Sequence, residues 1–137
     1  MSQSENTAAS TINKTWEYNG STFDFDLGDA DDLERYEIAL QHLEESEKAR
    51  KKDGTPSEIA RAYDKLFRDF YDELFGDGAG DAILGEKRSI SNCDDSFESF
   101  YDFSEAQSTA LRERREKITS KYSGNRAQRR NTSYRRG

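Results

Sequence analysis

One cysteine, one proline, one histidine, one methionine and one tryptophan are all that 137 residues supply. A single cysteine, Cys93, excludes any disulfide within the chain and points to a reducing compartment. Cys93 and His42 together fall short of the four nitrogen and sulfur ligands of a structural zinc site. Apolar residues are scarce as well, at 32%. Even with the nine glycines added, their share stays below the roughly 45–50% of an ordinary globular domain, so the core must be small. No run approaches the ~20 apolar residues of a membrane-spanning helix. The opening MSQSENTAAS has neither an apolar run nor a basic flank, so no signal peptide is expected. The chain reads as a soluble, cytoplasmic protein.

Aromatic and charged residues are plentiful. Eight Phe and seven Tyr argue against a fully disordered chain, since disordered sequences are poor in aromatics. Charged residues make up 36%, and the net charge is −7. That charge is uneven: residues 122–137 carry five arginines and no acid, a net +5, which leaves −12 on the remainder. An acidic body repels phosphate over a Debye length of ~8–10 Å and argues against nucleic acid as the main partner. It suits a basic or amphipathic protein partner.

Local patterns predict an α+β fold, an N-terminal β-hairpin packed on a small bundle of three main α-helices between disordered termini. Residues 1–11 read as a leader and 12–121 as one small domain. The segment 122–137 reads as a flexible basic tail. Within 12–27, Ile12, Lys14, Trp16 and Tyr18 alternate with polar residues, and Phe23 and Phe25 alternate with Asp24 and Asp26. Asn19-Gly20 between them is the dipeptide that best supplies the two positive φ angles of a type I′ turn. A helix over about 29–52 starts with Asp29, Asp31 and Asp32 and ends with Lys48 to Lys52, which complements the helix dipole. Its apolar stripe is Leu33, Tyr36, Leu40 and Leu43. A second helix, over about 55–75, opens on the capping box Thr55-Pro56-Ser57-Glu58. Its face of Ile59, Ala62, Tyr63, Leu66, Phe67, Phe70, Leu74 and Phe75 is the richest in the chain. A third helix, over about 92–121, carries Phe97, Phe100 and Tyr101 and then, more weakly, Ser104, Gln107 or Ser108, Leu111 and Ile118. Ser123-Gly124-Asn125 is expected to stop it.

The glycine-rich stretch DELFGDGAGDAILGEK, residues 72–87, invites a ligand-loop reading that position counting removes. A dinucleotide fingerprint would need glycine at Asp81, and a P-loop would need lysine at Glu86. A calcium loop starting at Asp77 would need acids at Ala79 and Arg88 and glycine at Ala82. One starting at Asp24 would meet Arg35 at its twelfth position. The stretch then predicts a helix stop and a turn that folds Ile83 and Leu84 back onto the Phe70–Phe75 face, with Asp77 and Asp81 solvated. Cys93 reads as a small, partly buried residue at a helix start, and His42 as a solvated surface residue. No constellation suggests a catalytic, cofactor or metal site.

The stretches Phe23–Tyr36, Phe70–Gly85 and Lys121–Arg130, with the loop glycines Gly76, Gly78, Gly80 and Gly85, carry a resemblance. The layout over roughly residues 12–130 is similar to that of small phage and prophage proteins of Gram-positive bacteria described as tail assembly chaperones. Such a family implies a non-enzymatic role in the host cytoplasm. Its members are thought to coat the helical tape-measure protein, help recruit tail-tube subunits and be absent from the finished virion. They also tend to have longer frameshifted forms. The residues expected to meet a partner are Phe70, Leu74, Phe75, Ile83, Leu84, Leu111, Ile118 and Tyr122, with Arg126, Arg129 and Arg130 of the tail. The alternatives are a minor structural component of the virion, or a nucleic-acid-binding accessory protein acting through the arginine tail. Oligomeric state stays open, a homo-oligomer included.

Overall fold

Among the described residues, two strands and four helices form an α+β fold. The computed structural model describes residues 12–50 and 52–136, with side chains as far as Ser123. The expected leader lies outside the described residues. Strands β1 (Thr15–Tyr18) and β2 (Ser21–Asp24) pair antiparallel, with Trp16 opposite Phe23 and Tyr18 opposite Ser21. Asn19 and Gly20, at φ 51° and 81°, turn between them with the two positive angles that the dipeptide predicts.

Helix α1 (Ala30–Ala49) is capped by Asp29, whose carboxylate accepts the Asp32 N–H at 3.0 Å. Helix α2 (Pro56–Phe75) has both halves of its capping box: Thr55 Oγ1 accepts the Glu58 N–H, and Glu58 Oε1 accepts the Thr55 N–H at 2.8 Å. Gly76 ends α2, and the expected turn contains a six-residue helix, α3 (Ala79–Leu84). Its last residues, Ile83 and Leu84, are buried against the core as the sequence predicts.

Helix α4 (Ile90–Arg136) differs most from expectation. It starts two residues early, with Ser89 Oγ accepting the Asn92 N–H at 3.2 Å. It also runs through Ser123-Gly124-Asn125 to Arg136, so the segment expected as a loose tail continues the helix. One glycine inside a helix costs ~1 kcal/mol, too little to end an element already nucleated on a packed body. At ~1.5 Å per residue α4 is about 70 Å long.

The core is aromatic. Trp16 sits at its centre, in ring contact with Tyr18, Phe23, Tyr71, Phe75 and Phe100. Its indole N–H donates to Ser99 Oγ at 3.1 Å, so the polar tip is satisfied where the ring is buried. The hairpin, unstable alone, thus lays its aromatic face on α2 and α4. On α1 the only fully buried residue is Ala39, while Tyr36, Leu40 and Leu43 are half-buried and Leu33 is exposed. On α4 the buried positions are Cys93, Ser96, Phe100, Ser104 and Gln107. Tyr101, expected on that face, is 51% exposed. The helix turns ~100° per residue, so a face centred on Phe100 excludes its neighbour and takes Phe97 and Phe103 at its edges.

Candidate functional site

The structure divides the expected partner-contact residues into two groups. Phe70, Leu74, Ile83 and Leu84 are buried core residues and cannot meet a partner while the fold stands. Phe75 is half-buried and held among Trp16, Phe23, Phe25 and Phe100. The aromatics of the second helix are therefore spent on the fold: the hairpin covers Tyr71 and Phe75, and Phe97 and Phe100 of α4 cover Phe67 and Phe70. The second group lies on α4. Leu111 is half-buried beside Gly28, Ile118 is 57% exposed and Tyr122 59% exposed. Arg126, Arg129 and Arg130 lie further along the same helix, where side chains are not described.

Beyond Leu111, every described residue of α4 through Ser123 is exposed. The helix therefore leaves the body at Leu111 and projects as an arm. Residues 112–136 hold ten Lys and Arg against two Glu, a net +8, so the rest of the chain carries −15 of the total −7. The molecule is an acidic body with a basic helical arm. One apolar seam runs from body to arm: Phe100, Ser104, Gln107 and Leu111 pack, and Ile118 and Tyr122 continue the row at seven and four residues.

A second polar centre lies where α2, α3 and α4 meet. Asp64 and Arg68, one turn apart on α2, are both buried and paired. Arg68 also donates to Asp81 Oδ1 at 2.9 Å and to the Lys87 carbonyl at 3.0 Å. Asp81 is solvated as expected, with its side chain 79% exposed, and it also ties α3 to α2 through this arginine. Burial pushes the Arg68 pKa down, but the two carboxylates outweigh it and the group stays charged. Burial pushes the Cys93 thiol up to about 12, with the neighbouring Asp64 adding to the shift. A thiol so placed stays protonated and inert. A groove of about 350 Å³ opens beside this centre, and a neighbouring one of about 430 Å³ is lined by Arg61, Lys87 and Arg88. Among the described residues, no buried side-chain nitrogen or oxygen lacks a hydrogen-bond partner. The buried ion pair is thus fully employed in joining helices.

Sequence reasoning missed these polar anchors. The i,i+4 spacing of Asp64 and Arg68 was visible, but an Asp and an Arg on a helix read as surface. Tyr71 is fully buried, with its hydroxyl 2.8 Å from Ser96 Oγ across to α4. His42 is exposed as expected, but its Nδ1 lies 2.6 Å from Glu73 Oε1, which links α1 to α2. Gln107 appeared only as one option on a weak stripe. It is an anchor: its amide donates to the Asn13 and Phe25 carbonyls at 2.8 and 2.9 Å, and its oxygen accepts the Leu27 N–H.

Among the described residues, no group of three His, Cys, Asp or Glu is placed to hold a metal ion. No helix there is long and apolar enough to cross a membrane. No curated protein and no solved structure matches the chain. Residues 19–133, from the hairpin turn into the arm, match the model of the DUF6673 family. The chain belongs to that family, whose function is unknown.

Proposed function

We propose that the protein is a non-enzymatic assembly chaperone for a phage tail, acting in the bacterial host cytoplasm. Its arm grips helical segments of the tape-measure protein and, through that complex, helps recruit tail-tube subunits. The observation that carries this reading is the apolar seam that leaves the body on α4 and presents Ile118 and Tyr122 among cations. A helix laid along that seam would cover both side chains, the helix-to-helix mode by which amphipathic segments are recognised. A tape-measure helix shows apolar stripes before the tube encloses it, and an acidic body keeps the complex in solution. The match to the family extends into the arm, so the arm lies within the shared unit. The resemblance in Phe23–Tyr36, Phe70–Gly85 and Lys121–Arg130 supplies the identity of the partner.

Co-expression with the tape-measure protein tests it. The full chain should co-purify with that protein and raise its soluble yield. Ile118→Ser with Tyr122→Ser should lower recovery of the complex about tenfold, since ~1.4 kcal/mol of lost apolar contact suffices. A tape-measure protein that is equally soluble with or without this chain rejects the reading. Mass spectrometry of purified particles distinguishes a chaperone, absent there, from a minor virion component. Ten cations on one helix also raise phosphate binding as a rival. Strong binding of RNA or DNA at physiological salt by the full chain would favour that rival.

A further inference from the structure

The arm is basic, and the outer face of α1 is acidic. Glu34, Ile38, Gln41 and Glu45 recur at intervals of four, three and four residues and are exposed. At 100° per residue they lie on the side of α1 opposite Ala39 and Leu43, which face α2 and the core. Glu37 and Glu44, also exposed, flank that row. Ile38 is 44% exposed in its middle. The arm is the reverse image. Ile118 and Tyr122 lie among Arg114, Arg115, Lys117 and Lys121, all exposed. Among the described residues, none of these four glutamates or four cations takes part in an ion pair.

We infer that the chain assembles head to tail with itself, the arm of one copy lying along the outer face of α1 of a second copy. Three arguments select this occupant. Leu111 lies beside Gly28, just ahead of α1, while Tyr36 further along α1 meets Phe100, so α1 runs back along the packed half of α4. The arm, continuing the same helix past Leu111, points away from its own α1 and the contact must join two molecules. Pairing of arm with arm would set +8 against +8, and pairing of α1 with α1 would set glutamates against glutamates. Pairing of arm with α1 brings opposite charges together around apolar residues at both centres, Ile38 on one side and Ile118 with Tyr122 on the other. The two surfaces differ, so the contact is heterologous: each copy keeps one free arm or one free face, and the assembly grows as an open chain or closes as a ring. The inference does not depend on the tape-measure reading, and its test contains this chain alone.

Sedimentation velocity of the full chain, free of nucleic acid, over a wide concentration range tests it. In about 0.1 M salt, where the Debye length is ~10 Å, the average mass should rise with concentration past twice the monomer value. In about 1 M salt, with a Debye length of ~3 Å, it should return to the monomer. The monomer is 15.7 kDa. Two charge-reversed chains, E34K/E37K/E45K and R114E/R115E/K121E, should each lose self-association at low salt. Their equimolar mixture should recover it, because each then meets a complementary surface on the other. Zero-length carbodiimide coupling of the unaltered chain should join Lys117 or Lys121 to Glu34, Glu37 or Glu45 of another copy, which decides the matter even if a variant fails to fold. A monomer at every concentration overturns the inference. So does self-association that survives both reversals, a mixture that stays monomeric, or couplings that join arm only to arm.

Discussion

Gln107 shows how a single polar side chain holds a strand to a helix. It is nearly fully buried on α4, and its amide closes bonds to Asn13, Phe25 and Leu27 on the two legs of the hairpin. Replacing it with leucine keeps the volume but leaves two carbonyls and one N–H without their partner. An unsatisfied buried group costs ~1–3 kcal/mol and the three act together, so Gln107→Leu should destabilise by about 3 kcal/mol. Urea unfolding measures this, and a red shift of Trp16 emission before the transition would report a loosened hairpin. A loss under ~1 kcal/mol with unchanged emission would show that the aromatic face alone holds the hairpin. Gly80 makes a related point: a Cβ there would lie 2.6 Å from the Arg68 carbonyl oxygen, so α3 reaches α2 only because the residue has no side chain. Neither role was legible in the sequence. A glutamine among polar neighbours, or a glycine among glycines, shows nothing of the distant backbone it meets.

At the scale of elements, legibility followed the range of the signal. The type I′ turn at Asn19-Gly20 and the capping box at Thr55–Glu58 are local devices, and both stand where the residues predict. Helix α3 is too short to show a period, and Ser123-Gly124-Asn125, a stop signal by its residues, lies inside α4 because the packed part upstream propagates the helix through it. The end of α1 shows a local device that titrates. Glu47 accepts from Arg50 Nε at 3.0 Å, Arg50 Nη2 at 2.8 Å and Lys52 Nζ at 3.1 Å. The Arg50 hydrogen bonds lower its carboxyl from 4.5 to about 2, burial opposes them, and Lys52 adds to the lowering. A carboxyl whose folded-state pKa is depressed adds stability that is whole above 4.5 and is lost as pH falls through about 2. Glu47 is 41% exposed, so solvent screening holds the effect to ~0.5–1 kcal/mol. Glu47→Gln should therefore flatten the fall of stability between pH 4.5 and about 2, read by urea unfolding across that range. An equal slope in both proteins would show that the cluster does not form in solution.

For the whole molecule, the division at Leu111 is the central fact. Upstream, α4 carries Cys93, Ser96, Phe100, Ser104 and Gln107 in the core; downstream, no described residue through Ser123 is even half-buried. The sequence showed that the second half of this helix is polar nearly all round. It did not show where packing ends, because Leu111 and Ile118 look alike and only the body's edge at Gly28 separates them. A helical segment exposed on all sides holds its hydrogen bonds mainly by propagation from the packed part, and its amides open with little cost in free energy. In a dilute sample in about 1 M salt, where charge contacts are screened, amide hydrogen exchange should be slow from Cys93 to Gln107 and should quicken over residues 112–123. In a concentrated sample in about 0.1 M salt, protection should extend into residues 112–123 and strengthen on α1 at the same time, because each copy then covers the other's surface. Protection of the arm that persists in the dilute, high-salt sample would mean that the arm is packed within one molecule, and the separation of acidic body and basic arm would fail as the basis for partner binding and self-assembly alike.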